Sequence, residues 1–338
     1  MNRENRPFLL RPAAKDYLWG GTRLNDDFNI GINIDPFAEA WVCSCHLDGQ
    51  STVITTSESR IESHYESRGE NLGDLLKRHP EYLGTHAASV ADGEFPILIK
   101  LIDAKKDLSV QVHPDDEYAR EHENSLGKTE MWYVLDARNG AELVYGFNRN
   151  VTAEFVRDAI DSGEVEKLLN HVQVHKNDLF FIESGTVHAI GAGCLIAEIQ
   201  ESSNLTYRLY DYARVDKNGK PRELHIDKAL DVANIKSSAS PRQPMRVLKY
   251  HPGYASELLT RCKYFQVERM LLNTENRKLA EIRTGSNSFH ALLCVDGCGT
   301  MLGENVYIPF FKGDCIFVPA DSIDLRLHGK AQILNVSC

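Results

Sequence analysis

Apolar residues along this chain fall mostly into short runs, unbroken or alternating with polar ones, and turn residues separate them. Residues 95–102, 108–113, 131–135 and 179–182 are rich in Ile, Leu, Val and aromatic side chains, and their lengths and composition predict strands. Helical spacing is confined to a few places. Residues 71–82 carry Leu72, Leu75 and Leu76 on one stripe. Phe155, Val156, Ala159 and Ile160 form another stripe behind Thr152, a residue suited to cap a helix start. Ser162 stands in the same relation to Val165, Leu168, Leu169 and Val172, which predicts a third helix, and residues 226–235 predict a fourth. The chain is expected to be mainly β.

The stretch Lys236-Ser237-Ser238-Ala239-Ser240-Pro241-Arg242-Gln243-Pro244 has no apolar period and reads as a linker. It would separate a first domain, residues 1–240, from a second, residues 245–338. The two share an internal repeat. Lys176-Asn177-Asp178-Leu179-Phe180-Phe181-Ile182 is echoed by Lys312-Gly313-Asp314-Cys315-Ile316-Phe317-Val318 at an offset of 136, and residues 130–136 resemble 290–296 at an offset of 160. The difference of 24 residues matches a helical insertion expected at about 151–172 in the first copy. Two related β-barrels, the first carrying a small helical insert, account for the pattern. In this alignment His188 falls opposite Asp324 and Glu130 opposite His290. The second copy therefore lacks the ligand set described below, and its role is expected to be structural.

Composition narrows the class. The 338 residues can bury a sizeable core, and their 42% hydrophobic and 25% charged content is that of a globular protein. No run approaches the roughly 18 apolar residues of a membrane span. The start, Met1-Asn2-Arg3-Glu4-Asn5-Arg6, lacks the apolar stretch of a secretory signal, so a cytoplasmic location is expected. The eight cysteines show no repeated CxxC pairs and read as reduced thiols. A net charge of −10 argues against a nucleic-acid partner. It also means that an anionic ligand must be met by locally placed Lys or Arg.

Candidate chemistry gathers in the first copy. In Leu108-Ser109-Val110-Gln111-Val112-His113 the alternation puts Ser109, Gln111 and His113 on one face of a strand. Alone, that pattern describes the wet face of an antiparallel sheet. Two further elements change the reading. Lys128-Thr129-Glu130 leads into the apolar run at Met131, and Gly185-Thr186-Val187-His188 sets a histidine behind a small-residue turn, a position that resembles a metal-ligand site of the cupin jelly-roll barrels. Two imidazoles, a carboxylate and the Gln111 carbonyl oxygen would make a divalent-metal site with open positions. Ligand type alone leaves Zn, Fe, Mn and Co open. Farther on, alternation places Glu198 and Gln200 on one face of a strand. Arg208, set among Tyr207, Tyr210 and Tyr212, needs an anionic partner if buried, either a ligand or Asp211. Lys100, inside an apolar strand, is expected to face a polar pocket. The other histidines, from His46 and His64 to His328, form no comparable set.

These motifs, in this order, resemble the type I mannose-6-phosphate isomerases (phosphomannose isomerases) in their short bacterial form. The resemblance runs over nearly the whole chain. It begins at Leu18-Trp19-Gly20-Gly21-Thr22-Arg23-Leu24 and Glu39-Ala40-Trp41, and continues through the segment that ends His113-Pro114-Asp115-Asp116 and through Gly127-Lys128-Thr129-Glu130. It closes on Ser184-Gly185-Thr186-Val187-His188-Ala189-Ile190 and Tyr207-Arg208-Leu209-Tyr210-Asp211-Tyr212. The resemblance implies two cupin-like jelly-roll β-barrels and one zinc ion held by Gln111, His113, Glu130 and His188. It also implies that Ser109 and Lys128 help hold a substrate phosphate, that Arg208 is an active-site residue and that Glu198 is an acidic group of the pocket. Two positions depart from the family pattern: Glu183 stands where proline is usual and Asn177 where glycine is common.

The implied reaction interconverts mannose 6-phosphate and fructose 6-phosphate by moving a proton between C1 and C2 through an enediol. The metal would stabilise the developing oxyanion with help from Arg208. Glu198 is the first candidate for the acid–base group, with a metal-held water as the alternative. Lys100 joins the expected substrate-binding residues. Two rival readings are a cupin oxygenase with non-haem iron, which the same ligand types suit, and a catalytically silent sugar-binding cupin. The first has no use for Lys128 and Arg208, and the second none for retaining them together with Glu130 and His188.

Overall fold

The runs predicted as strands form strands Ile97–Asp103, Val110–Val112, Glu130–Ala137 and Leu179–Ile182 in the computed structural model. It describes residues 5–28, 30–54, 69–215, 219–239, 241, 243–275 and 278–338. His64, Ser240 and Arg242 lie outside the described residues, as do the first four positions of the chain. Among the described residues the strands join into antiparallel sheets of ten, six and five strands, and the fold is mainly β.

Period-two alternation explains how the sheets stack. In strand Ile97–Asp103 every residue is buried, so both faces are covered. Ile97, Ile99 and Leu101 point into a core shared with Met131, Tyr133 and Ile199, and that core continues into Ala291, Leu293, Phe317 and Val336 of the second repeat. The alternate side chains Ile102, Trp132, Val134 and Ile196 face the other way and pack with Trp19 and Ile190. The six-stranded sheet thus has the second repeat on one side and the five-stranded sheet on the other. The candidate site lies on this second side.

The internal repeat is visible in the pairing itself. Strand Glu130–Ala137 lies between Leu179–Ile182 and Cys194–Glu201, and strand His290–Gly303 lies between Cys315–Val318 and Leu325–Ser337. Glu130 pairs with Ile182 and Trp132 with Phe180, while their counterparts His290 and Leu292 pair with Val318 and Ile316. The turns agree as well. Asn177 N–H donates to the Val134 carbonyl at 2.8 Å, and Gly313 N–H to the Cys294 carbonyl at 2.8 Å. Asn177 has φ 74° and Gly313 φ 96°, so the asparagine occupies the left-handed conformation that its glycine counterpart adopts freely. Strands from the front of the chain complete the ten-stranded sheet: Phe8–Arg11 pairs with Cys315–Val318 on one side and Thr52–Ile54 on the other.

Thr152 caps helix Ala153–Asp161, its side chain accepting from Phe155 N–H at 3.2 Å. Thr152→Ala is expected to lower stability by about 1 kcal/mol, read as an earlier denaturant midpoint with unchanged slope. The helix expected behind Ser162 is different. Ser162 ends the preceding helix, its hydroxyl donating to the Asp158 carbonyl at 2.8 Å. Val165–Leu168 makes a 3-10 turn, and Leu169–Gln173 becomes an edge strand paired with Glu142–Phe147. The apolar spacing there suits a turn followed by a strand as well as a helix, and the open sheet edge decides. Helix Asp116–Glu123 carried no apolar stripe to announce it; Asp115 caps it by accepting from Tyr118 N–H at 2.9 Å.

Candidate active site

The site is assembled from cross-strand neighbours on two facing sheets. In the five-stranded sheet Gln111 pairs with His188 on one side and Arg208 on the other, which sets the three in a row, with His113 one residue past the end of strand Val110–Val112. In the six-stranded sheet Glu198 pairs with Lys100 on one side and Trp132 on the other. Glu130 opens the strand beside Ile182. Gly127 sets the approach to this strand: a Cβ there would meet the Asp115 and Asp116 backbone at 2.4 Å, so the chain presenting Lys128 and Glu130 can pass only as glycine.

His113, Glu130 and His188 are buried, and their ligand atoms lie within 4.8 Å of one another. His188 Nε2 is 3.2 Å from Glu130 Oε1, and His113 Nε2 is 3.8 Å from Glu130 Oε2. The Thr186 carbonyl lies 2.7 Å from His188 Nδ1, which places the ring proton there and leaves the Nε2 lone pair facing Glu130. Both nitrogens of His113 and both oxygens of Glu130 have no hydrogen-bond partner. Buried polar atoms left this way are costly unless something binds them. Burial and the Lys128 charge push the His113 pKa well down. Burial alone would raise Glu130, but Lys128 and the two histidines outweigh it and hold the carboxyl well below its usual range. Neutral imidazole and ionised carboxylate are the forms that ligate a cation. Gln111 Nε2 lies 3.4 Å from His188 Nε2, which brings its side-chain amide to the edge of the group.

A cleft of about 250 Å³ opens beside this group. Ser109, Gln111, Lys128, Lys100, Glu198 and Arg208 all line it. Lys128 Nζ is 3.1 Å from Glu130 Oε2. Lys100, 4% exposed, donates to Glu198 Oε1 at 2.7 Å, and Trp132 Nε1 donates to Glu198 Oε2 at 2.9 Å. Burial would lower the Lys100 pKa, but Glu198 and Glu39 overcome it and hold the ammonium above its ordinary range. Asp211 does not pair with Arg208; it is bound by Arg214 and by Arg222, whose Nε donates at 2.8 Å. Arg208 donates to the Glu223 carbonyl at 2.7 Å, its buried Nε has no partner, and burial with the like charge of Arg222 lowers its pKa. A guanidinium in that position is arranged to meet an anion.

The cleft includes residues to which the sequence assigned no role. Trp19 and Glu39 sit in motifs that carried the resemblance, while Arg222, Asn204 and Thr206 gave no local signal. Glu201, one residue past Gln200 and so on the opposite pleat, accepts from Thr129 N–H at 2.6 Å, and burial, reinforced by Asp116, pushes its pKa up to about 8. The folded protein therefore holds a proton that the unfolded chain releases near its ordinary value of 4.5. That stability is present below the unfolded pKa and is lost as pH rises through the folded one. Glu201→Gln keeps the acceptor for Thr129 and is expected to flatten the fall of the unfolding free energy between about pH 5 and 8, by up to a few kcal/mol at about 1.4 kcal/mol per unit. Parallel pH profiles for the two proteins would remove Glu201 as the source.

Comparison with known proteins agrees with this architecture. The profile for "Phosphomannose isomerase type I, catalytic domain" matches residues 8–146, and that for "Mannose-6-phosphate isomerase, cupin domain" matches residues 255–338. Mannose-6-phosphate isomerase ManA of Bacillus subtilis (strain 168) is 38% identical over 97% of this chain and 98% of its own length. Mannose-6-phosphate isomerase of Streptococcus mutans is 41% identical over 69% of this chain and 70% of its own. The crystal structure of the mannose 6-phosphate isomerase from Bacillus subtilis superposes with a TM-score of 0.85 at 33% identity, covering 99% of this chain and 100% of that one.

Proposed function

The chain belongs to the type I phosphomannose isomerase family, and we propose that it interconverts mannose 6-phosphate and fructose 6-phosphate at a zinc centre held by His113, Glu130, His188 and Gln111. The observation that carries this reading is the buried His113–Glu130–His188 group, with both His113 nitrogens lacking a hydrogen bond, beside a cleft lined by Lys100, Lys128 and Arg208. The nitrogen and oxygen donors suit zinc, which when bound acts as a Lewis acid toward the charge that develops on the sugar oxygens.

The rest falls to the chain's own side chains. Ser109 and Lys128 hold the phosphate, so that binding energy from a remote group positions the reacting carbons. Glu198 takes the proton from C2 of the open-chain aldose while O1 gains a proton, giving the enediol, and returns it to C1 as O2 gives up its own, so that one proton moves from C2 to C1 and one from O2 to O1. Lys100 and Trp132 each fix one oxygen of that carboxylate. Arg208 supplies a positive charge beside the developing oxyanion. In this reading residues 1–240 carry the chemistry, with helix Ala153–Asp161 and the turn Val165–Leu168 of the insert lying in sequence between Glu130 and His188. Residues 245–338 form a supporting cupin-like unit, where Asp324, the counterpart of His188, is 82% exposed.

A coupled assay for fructose 6-phosphate tests the proposal. Conversion of mannose 6-phosphate, with little of unphosphorylated mannose, is expected. No conversion with any divalent metal would leave the sugar-binding cupin, and oxygen uptake with bound iron would favour the oxygenase.

A further inference from the structure

Lys176 and Lys312 occupy equivalent turns of the two repeats, 136 positions apart, and both line one cleft of about 260 Å³ between the repeats. Asp136 with Asp296 and Leu135 with Val295, counterparts 160 positions apart, line it too. The cleft therefore lies where the pseudo-symmetry of the fold brings like residues together. Arg23 also lines it but is committed, its guanidinium lying 2.6 Å from Asp136 and 2.7 Å from Asp27. The lysines are not. Among the described residues neither has a carboxylate within ion-pair range, and the Lys312 ammonium sits 4.4 Å from the Phe28 ring centroid. Asp296, exposed, is the remaining carboxylate of the wall. The Tyr133 hydroxyl on this wall is already used, accepting from Arg269 and Gln332 at 2.9 Å and donating to Asn177 Oδ1 at 2.7 Å, which leaves the lysines as the donors of the cleft.

We propose that this inter-repeat cleft is a second anion site, for a phosphate group carried either as orthophosphate or as a small phosphate monoester. Both lysines line one cleft of a chain of net charge −10, and a phosphate bound between them would offset their mutual repulsion. The volume is close to the 250 Å³ of the proposed catalytic cleft. The two clefts share no lining residue, and the inference does not depend on the proposed reaction.

Equilibrium dialysis of the metal-loaded protein tests it, with radiolabelled orthophosphate and, separately, the non-isomerisable glucitol 6-phosphate as probes. The Lys176→Gln/Lys312→Gln double variant is expected to lose one equivalent of anion binding, with affinity weakened about ten-fold or more. Its kcat/KM should change less than about two-fold, because neither lysine touches the catalytic cleft. Arg208→Ala should keep the lysine-dependent equivalent. Loss with orthophosphate identifies the free ion as sufficient; loss with the ester alone identifies the monoester. Equal binding of both probes by wild type and double variant, at matched unfolding midpoints, overturns the proposal, as does loss of the equivalent in Arg208→Ala. Absence of isomerase turnover in the wild type would sink the proposed reaction and leave the dialysis result standing.

Discussion

Glu130→Gln is expected to empty the metal centre and to cut turnover of mannose 6-phosphate by roughly a thousand-fold or more, about 4 kcal/mol at 1.4 kcal/mol per decade. The substitution keeps the shape of the side chain and removes only its charge. Glu130 stands between the two histidines, with His188 Nε2 at 3.2 Å and His113 Nε2 at 3.8 Å, and it is the sole carboxylate of the group. Neutral, it would leave a divalent cation with uncharged donors beside the Lys128 ammonium, 3.1 Å from Glu130 Oε2. Metal content by elemental analysis and turnover should fall together. A chelator should reproduce the effect on the wild type, and added zinc should reverse it there and not in the variant. Full activity in a metal-free protein would mean that the His113–Glu130–His188 group is not the reaction centre.

Glu198→Gln separates proton transfer from metal binding. Turnover should fall by about 10²–10⁴-fold, the usual contribution of a positioned acid–base group, with metal content unchanged. The loss should lie in kcat, because Ser109, Lys128 and Arg208 still hold the substrate. The substitution also leaves the Lys100 ammonium, 4% exposed, facing a neutral amide in place of its carboxylate partner at 2.7 Å. Breaking a buried pair in this way costs about 3–5 kcal/mol of stability, so Glu198→Gln should unfold earlier in denaturant. Adding Lys100→Met should restore much of that stability and none of the turnover. Wild-type kcat in Glu198→Gln would sink the assignment, and recovery of activity in the double variant would make Glu198 a structural partner of Lys100.

Much of the first unit was legible because strand periodicity is a local property. Ser109, Gln111 and His113 could be placed on one face from their spacing, and His188 stood out behind its small-residue turn. The repeat was readable down to register: the offsets of 136 and 160 align Glu130 and Ile182 with His290 and Val318, which are paired in the fold. Where local spacing fits two structures, the sequence alone did not separate them. The run behind Ser162 satisfies a helical stripe, yet residues 169–173 gain more by closing a sheet edge.

The sequence by itself determined the strand-rich architecture, the duplication and the residue types of the candidate His113–Glu130–His188 group, because each rests on residue type and short-range spacing. Only the tertiary structure decided which groups meet. Asp211 lies three residues from Arg208 in the chain and binds Arg214 and Arg222 instead. Glu198 finds Lys100 and Trp132 across strands that join residues 98 and 66 positions away. The front of the chain crosses into the ten-stranded sheet, and Lys176 and Lys312 come to line one cleft that exists only once the repeats have packed. Periodicity tells which face a side chain is on; long-range register and packing choose its partner, and no window of sequence contains that information.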